Sequence, residues 1–332
     1  MSKKIIMGME GGGTFTRIAI ADTYGNLLAY VKHNGSAHPR KDPAAKQNIR
    51  NAMHEALKIA GCRIEDIISL TAGMPGYDKE SDLTWVRDLT DIEGLICPIQ
   101  HVNDATVANI GAFVFKPGII AISGTGSITY GITETERHIR NYDFYHYAAT
   151  AARFLSFDCV HKIIAGETDD TDADLIADVC RHFGVSSVTA LALLGADGFM
   201  EDRPQRDKHF GRLAPVLTQA AACGSNLAIQ ICKKAAADIV TSIKVVGACF
   251  ESDIIPVVLI GSVVHSAVIH DSVKELLAKE GQGKRYHLTE PSLPPVLGAV
   301  IMAFKLCGMD VDGDILANIR KAAALCEDGG NE

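Results

Sequence analysis

An apolar stretch from Ile5 runs straight into Glu10-Gly11-Gly12-Gly13-Thr14-Phe15-Thr16, and apolar residues resume at Ile18. Three consecutive glycines strip every side chain from a turn, so the chain can double back tightly and a ligand can touch backbone N–H groups directly. Ile18 and Ile20, with Ala19 and Ala21 between them, suit a strand with a small-residue face. The segment from Ile5 to Asp22 therefore predicts strand, glycine turn, strand. A strand rather than a helix follows the glycines, and no Gly-Lys-Ser/Thr is present. This excludes a Walker A loop and, for the same reason, a dinucleotide GxGxxG. Thr14 and Thr16 offer hydroxyls to an anion, and Glu10, ending the first strand, is a candidate to hold Mg²⁺ directly or through water. A glycine hairpin with no ligand fits the same pattern.

The motif has an echo. Ile119–Ser123 reads as a buried strand, Gly124-Thr125-Gly126-Ser127 as a turn and Ile128–Ile132 as the return strand. Two such loops suit a clamp holding a polyphosphate from both sides, with Gly11, Gly12, Gly13, Thr14, Thr16, Ser123, Gly124, Thr125, Gly126 and Ser127 as its candidate residues. They suit an internal duplication too, or two unrelated hairpins. Between them a strand at Pro98–Val102 delivers Asn103-Asp104. An aspartate at the end of a core strand is well placed as a general base, and equally as the N-cap of a helix starting near Ala105. Leu259-Ile260-Gly261-Ser262 ends a buried strand in small residues. That suits close approach of an adenine or ribose, or a plain strand-to-helix turn.

The rest of the chain alternates between strand and helix patterns. Strands are expected at Leu27–Val31, Ile67–Ala72, Ile254–Ile260 and Tyr286–Leu288. Helices are expected at Ala44–Gly61, Leu83–Leu89, Ala151–Ala165, Asp172–Phe183, Asp207–Cys223, Asn226–Cys249, Asp271–Glu280 and Pro294–Cys307. Over 332 residues this predicts an α/β protein of two similar halves, 1–115 and 116–332, the second with a helical insertion at about 150–225. The net charge of −8 argues against nucleic-acid binding, which needs a basic surface, and gives no support for an anionic membrane. No apolar run reaches the ~18 residues of a membrane span, and the N-terminal stretch lacks a signal-peptide pattern, so a cytoplasmic location is expected. The nine cysteines form no CxxC pair and are expected to be small core residues rather than metal ligands.

Taken in order, these segments resemble the BadF/BadG/BcrA/BcrD ATPase family and, within it, the N-acetylglucosamine kinase-like sugar kinases. Glu10 to Thr16 resembles the phosphate-1 motif and Ser123 to Ser127 phosphate-2. Asp104 matches the catalytic aspartate, Gly261-Ser262 lies at the adenosine motif, and Pro295-Val296-Leu297-Gly298-Ala299 looks like the connecting helix. The resemblance implies an actin-like ATPase fold: two ribonuclease H-like domains closing on Mg-ATP and an acceptor, in a dimer. The implied reaction is phosphoryl transfer to an amino-sugar hydroxyl, with Asp104 taking its proton and Glu10 placing Mg²⁺. The chain departs from the pattern on the acceptor side. Gly35-Ser36-Ala37-His38 stands where the family carries Gly-x-Ser-Asn, and Tyr147-Ala148-Ala149-Thr150-Ala151 where it carries Gly-Asp-Glu-Gly-Ser. Ser36, His38, Asn103, Asp104 and His146 are the candidate acceptor contacts, with solvent-facing or internally satisfied histidines as the bland alternative. Two other functions stay open. One is an acyl-CoA dehydratase activator, although no cysteine precedes Ala148-Ala149 as an iron–sulfur site there requires. The other is a nucleotide-binding regulator without catalysis.

Overall fold

A computed structural model describes residues 3–279 and 283–327. In chain order, β1 (Ile5–Gly11) and β2 (Phe15–Asp22) flank the first glycine turn, followed by β3 (Leu27–Asn34), α1 (Ala45–Ala60) and β4 (Ile67–Met74). Then come α2 (Leu83–Thr90), β5 (Ile99–Asn103), α3 (Asp104–Phe113), β6 (Gly118–Ser123), β7 (Ser127–Ile132) and β8 (His138–Arg140). Five helices follow: α4 (Ala152–Ala165), α5 (Ala173–His182), α6 (Val188–Ala196), α7 (Arg203–Ala222) and α8 (Asn226–Gly247). The remainder is β9 (Ile254–Ile260), α9 (Ala267–Ala278), β10 (Arg285–Leu288), α10 (Pro295–Leu306) and α11 (Gly313–Glu327). The expected helix Asp271–Glu280 starts earlier, at Ala267, and its last residue, Glu280, lies outside the described residues.

Two compact units result: residues 1–117 with 290–332, and residues 118–289. The expected division gave everything after residue 115 to the second half. The last segment instead packs into the first unit, because α10 lies on β1, β4 and α3. Glycines set that contact. A Cβ on Gly298 would fall 2.1 Å from the Val107 carbonyl oxygen, and one on Gly8 2.6 Å from the Val300 nitrogen. Helix and sheet meet backbone to backbone, which no other residue allows.

In the first unit the strand order is β3-β2-β1-β4-β5, with β1–β2 and β2–β3 antiparallel and β1–β4 and β4–β5 parallel. The helix α1 buries Ile49, Ala52, Met53, Ala56 and Leu57, matching its predicted apolar face. It ends on Gly61 at φ 58°, a left-handed cap. The second unit repeats the plan: β8-β7-β6-β9-β10, with β6–β7 and β7–β8 antiparallel and β6–β9 and β9–β10 parallel. The echo of the glycine hairpins is thus matched by an echo of whole-sheet topology. The units differ between their third and fourth strands, where the first has one helix and the second has α4 to α8. Around Phe210, fully buried, the rings of Phe157, Phe183 and Phe199 gather at centroid distances of 4.4, 5.0 and 5.0 Å.

Four cysteines are buried and all nine are free; Cys223 is exposed. Burial pushes the thiols of Cys159 and Cys232 up to about 12. Among the described residues, no helix is long and apolar enough to cross a membrane.

Candidate functional site

The first unit gathers its candidates at one end of its sheet. Parallel pairing sets Glu10 beside Gly73 and Met74 beside Asn103, so the carboxyl ends of β1, β4 and β5 meet. That end is where open α/β sheets bind ligands. The glycine turn is tied shut by the Gly12 N–H, which donates to the Phe15 carbonyl at 2.8 Å. A Cβ on Gly11 would sit 2.8 Å from both Ala37 Cβ and Pro75 Cδ, and one on Gly12 2.8 Å from Phe15 O. These two glycines are needed for packing before any ligand is considered. Thr14 is exposed, with Gly13 beside it at the tip. Thr16 is not at the tip. It is fully buried and its hydroxyl donates to the Gly35 carbonyl at 3.0 Å.

The strap from Gly35 to His38 is laced onto this turn. Gly35 N–H donates to Thr14 O at 3.0 Å, Ala37 N–H to Gly12 O at 3.2 Å and the Ser36 hydroxyl to Gly12 O at 3.2 Å. Ser36 Oγ in turn accepts the His38 N–H at 3.0 Å, so this residue, expected at the acceptor, serves as a rivet. Asn48, on α1, was not singled out from sequence. Its buried amide donates to Ser36 O at 3.0 Å and to Asp42 at 2.8 Å.

Asn103 and Asp104 divide the two roles the sequence left open. Asn103 is the N-cap of α3: its side-chain oxygen accepts the Ala105 N–H at 2.9 Å. Its amide group donates to Tyr77 O at 3.0 Å and Asp78 Oδ1 at 3.3 Å. Both ends of Asn103, an expected acceptor contact, are therefore engaged within the unit. Asp104, the first residue of α3, also meets the Ala105 N–H, at 3.0 Å. Burial pushes its carboxyl up to about 6, helped by the negative charges of Glu10 and Asp78 and opposed by Ala105 N–H and Lys41. A carboxylate titrating that close to neutrality is matched to accept a proton.

Glu10 faces Arg17 across the β1–β2 pair, and Arg17 Nη1 donates to Glu10 Oε1 at 3.0 Å. Burial raises the Glu10 pKa while Arg17 opposes the rise. The second oxygen, Oε2, makes no recorded bond. One oxygen of one carboxylate suits Mg²⁺, which keeps several waters and takes few protein ligands. It does not suit a metal caged by protein, and no group of three ligating side chains occurs among the described residues.

His38 stands over the same corner. Its Nδ1 accepts the Arg40 N–H at 3.1 Å, so the neutral ring carries its proton on Nε2. Burial, then Lys41 and Arg40, lower its pKa and keep it neutral. Its ring stacks on Trp85 at 6.0 Å, and Trp85 in turn donates to Asp82 at 3.3 Å. Trp85 lies within the expected helix Leu83–Leu89, and the sequence alone gives it no role there.

In the second unit, β6 and β9 run parallel with Ile122 beside Ile260, so their carboxyl ends also coincide. There the two expected nucleotide segments meet. Gly261 takes φ 108°, and a Cβ on it would lie 2.4 Å from the Ser123 carbonyl oxygen. That carbonyl accepts the N–H groups of Val263 and Val264 at 3.1 and 3.2 Å. The turn itself is closed by Gly124 N–H to Gly126 O at 2.9 Å. Thr125, Gly126 and Ser262 are exposed. Ser123 and Ser127 are used internally: their hydroxyls donate to Thr150 O at 2.6 Å and Ala148 O at 3.1 Å. These bonds fasten the Tyr147–Thr150 segment to the turn, as does the Tyr142 hydroxyl on Ser127 O. His146 is held by its backbone to Asn141, and its ring Nδ1 is buried without a hydrogen-bond partner. Arg153, at the start of α4, donates to the Thr125 carbonyl at 3.3 Å. It was visible in the sequence and given no role there, since an arginine on a helix is ordinarily a surface residue.

No protein-family model matches the chain. Over 139 residues it is 31% identical to an N-acetylmuramic acid/N-acetylglucosamine kinase of Clostridium acetobutylicum, covering 42% of this chain and 45% of the relative. Over 145 residues it is 30% identical to an N-acetyl-D-glucosamine kinase of Dictyostelium discoideum, covering 40% and 44%. The chain thus spans less than half the length of either curated relative. Among solved structures, a Chromobacterium violaceum protein with a provisional N-acetylglucosamine kinase assignment superposes with a TM-score of 0.72. It is 19% identical over 91% of this chain and 100% of that one. With two sheets of matching topology and likeness along nearly the whole chain, the protein has the actin-like ATPase fold.

Proposed function

We propose that the protein transfers the terminal phosphoryl group of ATP to a hydroxyl of an amino sugar. The observation that carries this is Asp104, beside the Asn103 cap at the start of α3, its carboxyl pushed up to about 6 by desolvation and by the charges of Glu10 and Asp78. In the step, the acceptor oxygen bonds to the γ-phosphorus, the bond from that phosphorus to the β–γ bridging oxygen breaks, and ADP leaves. Asp104 receives the hydroxyl proton. Such transfer rests on positioning and electrostatics more than on covalent chemistry. Gly11 to Thr14 in the first unit and Gly124 to Gly126 in the second are each candidate phosphate contacts, and Gly261-Ser262 borders the candidate nucleoside site of the second unit. Arg153 adds a positive charge at the Thr125 turn. Mg²⁺, held at Glu10 Oε2 through water, would neutralise phosphate charge. His38, a neutral Nε2–H donor backed by Trp85, and His146 supply polar contacts where the resembling family uses Asn and acidic residues.

The names of the curated relatives support the amino-sugar acceptor, and the motif order supports membership of the BadF/BadG/BcrA/BcrD family. The acidic charge supports a chain that does not bind nucleic acid. A cytoplasmic homodimer is what the resemblance implies. The activator alternative fares worse, because Cys159, which follows the altered segment, is buried in α4 with its thiol pushed up to about 12 and is not a thiolate ready for iron. The decisive experiment is an ATP-consumption screen over glucosamine, N-acetylglucosamine, N-acetylmuramic acid and related amino sugars. Turnover dependent on one of them is expected; ATP binding with no turnover across the panel would replace the kinase with a nucleotide-binding regulator.

A further inference from the structure

Just past Gly261-Ser262 the chain carries two imidazoles that the reading above leaves unused. His265 is exposed, and its ring Nε2 lies 3.1 Å from the Leu259 carbonyl oxygen. A carbonyl only accepts, so Nε2 carries the proton and the neutral ring has its lone pair on Nδ1. The His265 N–H donates to Gly261 O at 3.3 Å, which fixes the residue to the same turn that touches Ser123. His270, on the first turns of α9, stacks on one face of this ring with centroids 6.0 Å apart and planes at 23°. The ring is therefore oriented by a hydrogen bond behind it and a second ring on one face. Its other face meets no ring among the described residues, and its Nδ1 has no recorded partner. A lone surface histidine would be held by none of these.

Resting on the nucleotide reading of the second unit, we propose that His265 is the base shelf of the nucleotide site, its uncovered face stacking on the purine. With phosphates on Gly124 to Gly126, the nucleoside extends past Gly261-Ser262 toward His265. An aromatic ring offers a purine a π-face, and imidazole is among the side chains proteins use to stack bases. His265 thus supplies a stacking surface for the purine on the face that His270 leaves uncovered. His270 supports the ring and is a positioning residue.

The test is equilibrium binding of ATP, ITP and inorganic tripolyphosphate to the whole protein by calorimetry. His265→Ala is expected to weaken ATP about tenfold while leaving tripolyphosphate unchanged, since the phosphate turn is untouched. His265→Phe keeps the stacking face, so it is expected to restore most of the ATP affinity, and ITP, whose purine offers the same π-face, is expected to fall and recover with ATP. His270→Ala falls between wild type and His265→Ala. Equal ATP affinity in wild type and His265→Ala overturns the proposal. A parallel fall for ATP and tripolyphosphate also overturns it, because it marks a general disturbance of the turn. If the wild-type protein binds tripolyphosphate but shows no gain for ATP, the base shelf fails while the phosphate site stands. If it binds neither, the nucleotide reading itself fails.

Discussion

The two glycine turns look alike in sequence and sit at the same place in two sheets of the same topology, yet they are built for different work. The first is crowded. Gly11 is pressed by Ala37 and Pro75, Ser36 and Ala37 are laced to Gly12, and two half-buried carboxyls, Glu10 and Asp104, lie within electrostatic reach of each other. The second is open. A Cβ on Gly126 would meet nothing within 4 Å, and its nearest charged partner is the Arg153 guanidinium. On the proposed reading, one topology repeated in a single chain places the acid–base chemistry in the first unit and the nucleoside contacts in the second. Symmetry of backbone has not brought symmetry of function.

That contrast can be attacked first at Asp104. Asp104→Asn is expected to lower kcat by about 10²–10⁴-fold, the usual contribution of a positioned proton acceptor, while ATP affinity measured by calorimetry changes little. The same group sets a pH limb. Below about 6 the carboxyl is protonated and cannot accept a proton, so kcat/KM for the acceptor falls as pH drops through that value. In Asp104→Asn the residual rate has no such limb, and a limb surviving there assigns it to another group. Next comes crowding. Gly11→Ala forces contacts of 2.8 Å and is expected to cost about 1–3 kcal/mol of stability. Gly126→Ala should stay within about 0.5 kcal/mol of wild type. Calorimetric Tm values that move together would erase the distinction between a crowded and an open turn.

Arg153 tests the second turn by itself. Arg153→Met removes the guanidinium that donates to the Thr125 carbonyl and is expected to weaken ATP binding about tenfold, in line with ~1.5 kcal/mol for a charged hydrogen bond. Acceptor KM should not follow. The smallest effect on activity is expected at Ser36. Ser36→Ala removes the hydroxyl's bond to Gly12 O and the acceptor of the His38 N–H, each worth about 1 kcal/mol, and Gly12 O keeps the Ala37 N–H. A large rise in acceptor KM with unchanged stability would return Ser36 to the acceptor site and loosen the view of it as a rivet.

Much of this was legible in the sequence because it depends on local pattern. The glycines, the alternating apolar residues and the Asp at the end of β5 speak through short windows. What the sequence left open depends on contacts far apart in the chain. Thr16, Ser36, Ser123 and Ser127 look like phosphate or acceptor hydroxyls by type, and only the fold shows each donating to a backbone carbonyl. The cap expected at Asp104 is supplied instead by its neighbour Asn103, whose side-chain oxygen accepts the Ala105 N–H and whose amide reaches Tyr77 and Asp78. Arg153 and Trp85 lie on helices whose spacing signals burial and says nothing of what they face. The expectation for residues 290–332 missed for a related reason. The glycines that let α10 into the first unit are single residues whose partners, Val107 and Val300 among them, follow no periodicity.

That late helix has a consequence for how the protein is made. The first unit takes its last layer, α10, from a segment that begins at Pro295. On a ribosome the chain emerges from its N-terminus, so β1 and β4 leave the tunnel long before the helix that covers them. The second unit is continuous from residue 118 to residue 289. Its strands and helices are all synthesised before α10. The first unit waits with the bare backbone of Gly8 uncovered until that helix has been made.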